Sequence, residues 1–325
     1  MTQEVTVGTG DFTLDDGTLL HDVQQHVTFY GSREPTVFVA HALTGSSRVA
    51  EWWPGIIGED KLFDPQRSRV IGINVLGGCY GSSPVPDGRR VSVRDIVRAQ
   101  RRALRHLGVE RLDVVIGGSL GGMQALQWAI DFPSQIENVV VIGAHDHHSA
   151  MGIALNALQR EAIDIDPQRG LRLARKIAML TYKSEELFNA RHDRKRDRYG
   201  KNRFDVEGYL EYQADIFEKR MNPKTYSVLT HAMDDFDVRD SPVPLGPRLH
   251  FIGISSDWLF RPQDIRAAAK RFASLGVNTT YSELRSDHGH DAFLAEPGAV
   301  AAILSQRLGW MKMTPSSSSR NVCAL

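Results

Sequence analysis

Only two cysteines, Cys79 and Cys323, occur among 325 residues. That excludes a disulfide framework and a cysteine-based zinc site, and it points to a reducing compartment. An excess of charge of one sign is also missing, since Lys plus Arg number 39 and Asp plus Glu number 39. With no net field to steer it, the chain is not expected to seek nucleic acid or an anionic membrane, which leaves small-molecule chemistry. The opening segment MTQEVTVGTGDFTLDDG has no basic stretch followed by an apolar one, so no signal peptide is expected. No apolar run approaches membrane-spanning length, and no internal repeat is visible. These absences together predict a cytoplasmic protein.

What is present can bury a large core: 42% of residues are hydrophobic and 24% charged. Strands are expected at about 10–16 and 24–30, at Val37–Ala40, and at Val70–Val75 ahead of the glycine-rich Leu76-Gly77-Gly78. Residues 92–107 place apolar side chains at helical spacing, with Ser92 as N-cap and Asp95 at the third helical position. A short buried strand at Leu112–Ile116, a helix from about 119 to 131 and a strand at Val139–Ile142 follow. Strands alternating with helices predict a mainly parallel sheet covered on both faces. From 150 to 235 the chain turns charged and helical, with no clear strand; the run at 191–203 reads as a solvated helix end or loop. The rhythm resumes with a strand at Arg248–Ile254, a helix near 262–274, a strand near 279–284 and a helix near 296–308. Residues 1–149 and 236–310 thus read as two parts of one core, 150–235 as an inserted helical lid, and 311–325 as a low-complexity, disordered tail.

The chemistry is carried by Gly117-Gly118-Ser119-Leu120-Gly121, a G-x-S-x-G sequence between a strand and a helix. This is the context of a nucleophile elbow, in which small neighbours permit a sharp turn and the helix N-terminus offers free N–H groups to an oxyanion. A serine hydroxyl needs a base and an orienting carboxylate, and in the α/β-hydrolase fold these follow in the order Ser, acid, His. Asp257 follows the strand at 248–254. His288 and His290 both follow the final strand, and spacing alone does not separate them. The loop His41-Ala42-Leu43-Thr44-Gly45 occupies the place of the second oxyanion donor, where His41 is expected to hydrogen-bond its own loop rather than react.

The segments HALTG (41–45), WWPGIIG (52–58), NVLGGCYGSS (74–83), GGSLGGMQALQWA (117–129), LTY (180–182), SSDWLF (255–260) and GHDAFL (289–294) together resemble the homoserine O-acetyltransferases, in family order, from about residue 15 to 310. The resemblance implies an α/β-hydrolase fold with a helical lid and a triad of Ser119, Asp257 and His290, GHD selecting His290 over His288. It implies an oxyanion hole from the amides of Leu43 and Leu120. It also implies that Arg175 grips a homoserine carboxylate, that Asp291 meets its amino group, and that Tyr182 forms the adjoining wall. The implied reaction is ping-pong acyl transfer from acetyl-CoA, which is a substrate and not a bound cofactor, to homoserine in methionine biosynthesis. A homodimer through the lid is implied too.

Three features depart from the family pattern. The lid lacks a longer loop within IDIDPQRGLRLAR, Lys183 stands where arginine is usual after LTY, and GAHDHH at 143–148 is unfamiliar. They bear on the acceptor, the donor and the tightness of the lid. Succinyl transfer to homoserine or serine, and ester or thioester hydrolysis on the same triad, are the alternatives, while an intact triad argues against a mere binding module. No metal site is expected at His145, His147 and His148. Cys79 reads as a small buried residue, and Trp52, Trp53, Trp128 and Trp258 as core or pocket wall.

Overall fold

The computed structural model describes residues 2–197, 202–243 and 245–309. The tail at 311–325, expected to be disordered, lies outside the described residues.

Among the described residues, eight strands form one sheet: β1 (Thr2–Thr13), β2 (Leu19–Tyr30), β3 (Thr36–Ala40), β4 (Arg69–Ile73), β5 (Leu112–Gly118), β6 (Ile136–Ile142), β7 (Arg248–Ile254) and β8 (Thr279–Leu284). Their spatial order is β1-β2-β4-β3-β5-β6-β7-β8; the β1–β2 and β2–β4 pairings are antiparallel and the rest parallel. The sequence TVFVA of β3 is buried at every position, as a parallel strand covered on both faces requires. Alternate residues feed two cores. Phe38 and Ala40 join the cluster made with α2 (Val93–His106), α3 (Leu120–Asp131) and α9 (Pro262–Ser274), while Val37 and Val39 join the one made with α1 (Val49–Trp52) and α11 (Pro297–Leu308).

The elements from β3 onward fall close to where the sequence places them, whereas β2, expected at 24–30, begins at Leu19. Ser92 caps α2 through its Oγ, which accepts from Asp95 N–H at 2.9 Å, while Asp95 Oδ2 accepts from Ser92 N–H at 3.1 Å. The first strand is a correction: expected at 10–16, it runs from Thr2 to Thr13. Residues 14–18 instead form the hairpin turn, closed by Leu14 N–H to Thr18 O at 2.9 Å and Thr18 N–H to Asp16 Oδ1 at 2.8 Å. An edge strand with one face in water carries only a faint apolar alternation.

Among the described residues, five helices lie between β6 and β7: α4 (Ala150–Ile165), α5 (Pro167–Thr181), α6 (Glu185–His192), α7 (Asp205–Phe217) and α8 (Pro223–Asp234). The 191–203 run supplies the end of α6 and a loop, with 198–201 outside the described residues. The insert leaves and rejoins the core at one neck, where His148 N–H donates to Phe236 O at 3.0 Å and Val238 N–H donates to Asp146 O at 2.8 Å. The stretch noted for lacking a longer loop, between Asp166-Pro167 and Gly170-Leu171, is the first turn of α5, and Asp166 alone joins α4 to α5. Its side chain accepts from the amides of Gln168 and Arg169, and Pro167 opens the helix with its preset φ. The two helices touch closely, because a Cβ on Gly170 would stand 2.0 Å from Ala162 O. Ala292–Ala295 forms a last short helix, α10.

Candidate active site

The serine expected as nucleophile sits at the junction of β5 and α3 with φ 57° and ψ −125°. A non-glycine residue at positive φ costs on the order of 1–3 kcal/mol and persists only where its surroundings enforce it. Here they do. Ser119 N–H donates to Ile142 O on β6 at 2.9 Å, and its carbonyl accepts from Gly122 and Met123. Small neighbours let helix and sheet meet: a Cβ on Gly121 would lie 2.1 Å from Ala40 O, and one on Gly118 would lie 2.6 Å from the Phe293 ring. The Phe293 of GHDAFL therefore packs directly beneath the elbow.

His290 and Asp257 are brought together from the loops after β8 and β7. His290 Nδ1–H donates to Asp257 Oδ2 at 2.6 Å, with both side chains buried. Asp257 Oδ1 accepts from the amides of Leu259 and Phe260, each at 2.9 Å, which fixes the carboxylate in place. The His290 ring stacks on Phe260 with centroids 5.1 Å apart, and Tyr182 and Phe293 close its other sides at 5.8 and 6.0 Å. Its Nε2 is buried and has no hydrogen-bond partner, so it is free to take a proton. Burial, the largest influence, pulls the imidazole down. The charge of Asp257, its hydrogen bond and the charge of Asp291 together outweigh it, and the pKa lies above the ordinary 6.5. His288, the other histidine left open by spacing, faces Glu296 at 3.8 Å and does not join Asp257.

The loop after β3 is held by a buried polar chain. Trp128 Nε1 donates to Gln100 Oε1 at 3.0 Å, Gln100 Nε2 to Gln124 Oε1 at 2.7 Å, and Gln124 Nε2 to His41 O at 3.0 Å. His41 behaves as expected of a loop histidine. Its Nδ1–H donates to Ala42 O, Nε2 accepts from Val75 N–H, and burial drives its pKa down to about 4, leaving it neutral. The loop's own backbone bonds do not use the amide of Leu43. Leu120 opens α3, where an amide has no intrahelical acceptor.

Arg175, on α5, is 9% exposed and forms no ion pair among the described residues; one nitrogen reaches Gln213 Oε1 at 3.3 Å and Nε has no partner. Its guanidinium lies 4.9 Å from the Phe217 ring centroid and 6.0 Å from that of Tyr182, the ring that touches His290. Tyr182 is pushed up to about 12, first by burial, with Arg175 and Asp291 acting on it in opposite directions. The structure thus gathers Ser119, Asp257, His290, Tyr182, Arg175 and Asp291 around one end of the sheet.

Several residues differ from expectation or were not legible. Cys79 is exposed, not buried, its thiol 3.7 Å from Arg220 O of the insert. Trp53 and Trp128 are core, and Trp258, 43% exposed, lines a surface cavity with Lys183 and Asp257, its Nε1 donating to Lys183 O at 3.1 Å. Sequence reasoning missed Arg220, which crosses from the insert to donate to Thr44 O of the loop after β3 at 2.7 Å. It also missed the stack of His148 on the far side of Phe260, at 5.4 Å. His145, Asp146 and His147 do cluster, with possible ligand atoms within 4.8 Å of one another. Asp146 already accepts from His147 Nδ1 at 2.9 Å and from the Arg271 guanidinium at 2.8 Å, which sets a fixed cation against any metal there.

The description "alpha/beta hydrolase fold" belongs to the family model that matches residues 35–297. A homoserine O-acetyltransferase from Nostoc punctiforme is 36% identical over 91% of this chain and 93% of its own length. Among solved structures, a homoserine O-acetyltransferase from Bacillus anthracis superposes with TM-score 0.86 at 18% identity, covering 95% of this chain and 98% of its own. Esterase E22 superposes with TM-score 0.85 at 21% identity, over 95% and 100%. At such identities the two structures speak for the fold alone.

The His290 imidazole is expected to titrate above the ordinary histidine value in the intact protein. In Asp257→Asn it should titrate below that value, since burial then meets only the weaker pull of Asp291. Nitrogen-15 NMR of the ring reads both; titration that does not fall in the variant would contradict the assignment of Asp257 as its partner.

Proposed function

The chain belongs to the homoserine O-acetyltransferase family of the α/β-hydrolase fold and is an acyltransferase, and from that premise we propose that it moves an acetyl group from acetyl-CoA to the hydroxyl of L-homoserine. The observation that carries this reading is Arg175. A buried guanidinium with no carboxylate partner costs several kcal/mol of lost hydration, and a planar fork one ring away from the catalytic histidine suits an amino acid's carboxylate. Simple ester cleavage gives such a group no task.

In the proposed ping-pong sequence, Ser119 Oγ attacks the thioester carbonyl while His290 Nε2 takes its proton. The oxyanion forms opposite the amides of Leu43 and Leu120. The tetrahedral intermediate collapses by breaking the carbon–sulfur bond, and His290 returns the proton to the departing coenzyme A thiolate. Homoserine then binds with its carboxylate on Arg175 and its ammonium towards Asp291, against the wall of Tyr182. His290 removes the hydroxyl proton, the oxygen attacks the acetyl-serine, and the proton passes back to Ser119 Oγ as O-acetyl-homoserine leaves. Asp257 orients the imidazole and stabilises its charged form in both halves. Water must stay away from the acyl-enzyme, which assigns the helical insert the role of a lid. The donor is a transient substrate, so no resident cofactor is required.

The same reading places the enzyme in methionine biosynthesis in the cytoplasm, as a homodimer joined through the lid. Support for that face comes from exposed apolar side chains on its helices: Met151 is 61%, Leu158 56%, Ile165 81% and Tyr212 60% exposed. Light scattering on the purified protein should give the dimer mass, and a clean monomer would contradict this interface.

Thiol release from acetyl-CoA is expected to depend on homoserine and to vanish in Ser119→Ala with the fold retained. Arg175→Ala should raise the KM for homoserine by roughly two orders of magnitude, the loss of one buried charged hydrogen bond, and spare the thioester half-reaction. Release that needs succinyl-CoA or serine would reassign the substrates. Release indifferent to any amino acid would make water the acceptor and the enzyme a hydrolase.

A further inference from the structure

The carboxylate proposed to meet the acceptor's ammonium already holds a cation. Lys183 Nζ lies 2.7 Å from Asp291 Oδ2, and the two side chains are only 14% and 23% exposed. At that distance and degree of burial, the lysine offsets part of the field that Asp291 projects towards an acceptor.

The ammonium group is not what holds the surrounding loops together. Trp258 Nε1 donates to the Lys183 carbonyl at 3.1 Å, Ser184 Oγ donates to Asp287 O, and Asp291 N–H donates to Tyr182 O at 3.2 Å. Gly289 lies flat against the same segment, since a Cβ there would stand 2.7 Å from the Lys183 carbonyl carbon and Ser184 N. Main-chain and neighbouring groups therefore fasten the end of α5 to the histidine loop. The lysine head is left with an electrostatic task.

We propose that Lys183 is a specificity-determining residue of the acceptor site: it masks Asp291 and so relaxes selection for an ammonium group on the acceptor. The inference rests on the reading that Arg175 and Asp291 receive the acceptor's two charged groups. Two cations, Arg175 and Lys183, then face one anion. The site retains its demand for a carboxylate, while a hydroxy acid without an amino group loses little by comparison with homoserine. Without the lysine charge, Asp291 would attract an ammonium more strongly and repel a free carboxylate.

The test is calorimetric titration of L-homoserine and of 4-hydroxybutyrate into the full-length wild type, Lys183→Met and Lys183→Arg, with thermal melting to confirm folding. The ratio of the two affinities should move roughly tenfold towards homoserine in Lys183→Met, as expected for one partly screened charge, and stay near the wild-type ratio in Lys183→Arg. In an Asp291→Asn background the effect of Lys183→Met on that ratio should disappear. An unchanged ratio, a shift towards 4-hydroxybutyrate, or an effect that survives Asp291→Asn would each overturn the proposal, as would failure of both acceptors to bind. A wild type that binds both acceptors but transfers no acetyl group would defeat the reaction proposed above and leave the Lys183 ratio readable.

Discussion

Helix α3 must approach the sheet closely enough to hold Ser119 at positive φ, and most of the active site follows from that contact. Gly121 rests against the carbonyl of Ala40, so the helix can meet the end of β3, where the loop from His41 to Gly45 begins. The polar chain from Trp128 through Gln100 and Gln124 then runs from the same helix to His41 O and fixes that loop. Phe293 under Gly118 ties the histidine loop to the elbow from the other face. A side chain at Gly121 would push α3 off the β3 backbone, and one at Gly118 would displace the Phe293 ring. The strain at Ser119 is thus held by packing on both faces of the sheet.

The helical insert adds what the sheet alone lacks. It returns to the core at the neck formed by His148, Phe236, Asp146 and Val238, and so stands over one end of the sheet. Helix α5 brings an unpaired buried guanidinium to within one ring of His290 and, at its end, clasps the histidine loop through Tyr182, Lys183 and Ser184. Arg220 reaches from the same insert to the loop after β3. Arg175 and Tyr182 of the insert and the His290 loop are therefore parts of one packed unit.

Much of this was legible in the sequence, because its signals are local. The elbow reads from glycines around a serine between a strand and a helix, the α2 cap from Ser92 and Asp95, and the interior strands from short apolar runs. The triad's acid and base follow from chain order, although choosing His290 over His288 needed the family resemblance, and the Asp257 bond makes the difference physical. Features set by distant chain segments were not legible. The first strand begins earlier than expected, since half of an edge strand faces water. Cys79 is exposed, its thiol beside Arg220 O of the insert. The bonds from Arg220 to Thr44 and from Lys183 to Asp291 span more than a hundred residues and leave no periodic trace.

The central claim is that Ser119 carries the acyl group between donor and acceptor. It is tested most directly by mixing the protein with acetyl-CoA without an acceptor, quenching in acid, and mapping peptides by mass spectrometry. The account predicts one added acetyl group on the peptide containing Ser119, removed when homoserine is supplied before the quench. An acetyl group on another residue, or none when homoserine-dependent turnover is intact, would contradict it.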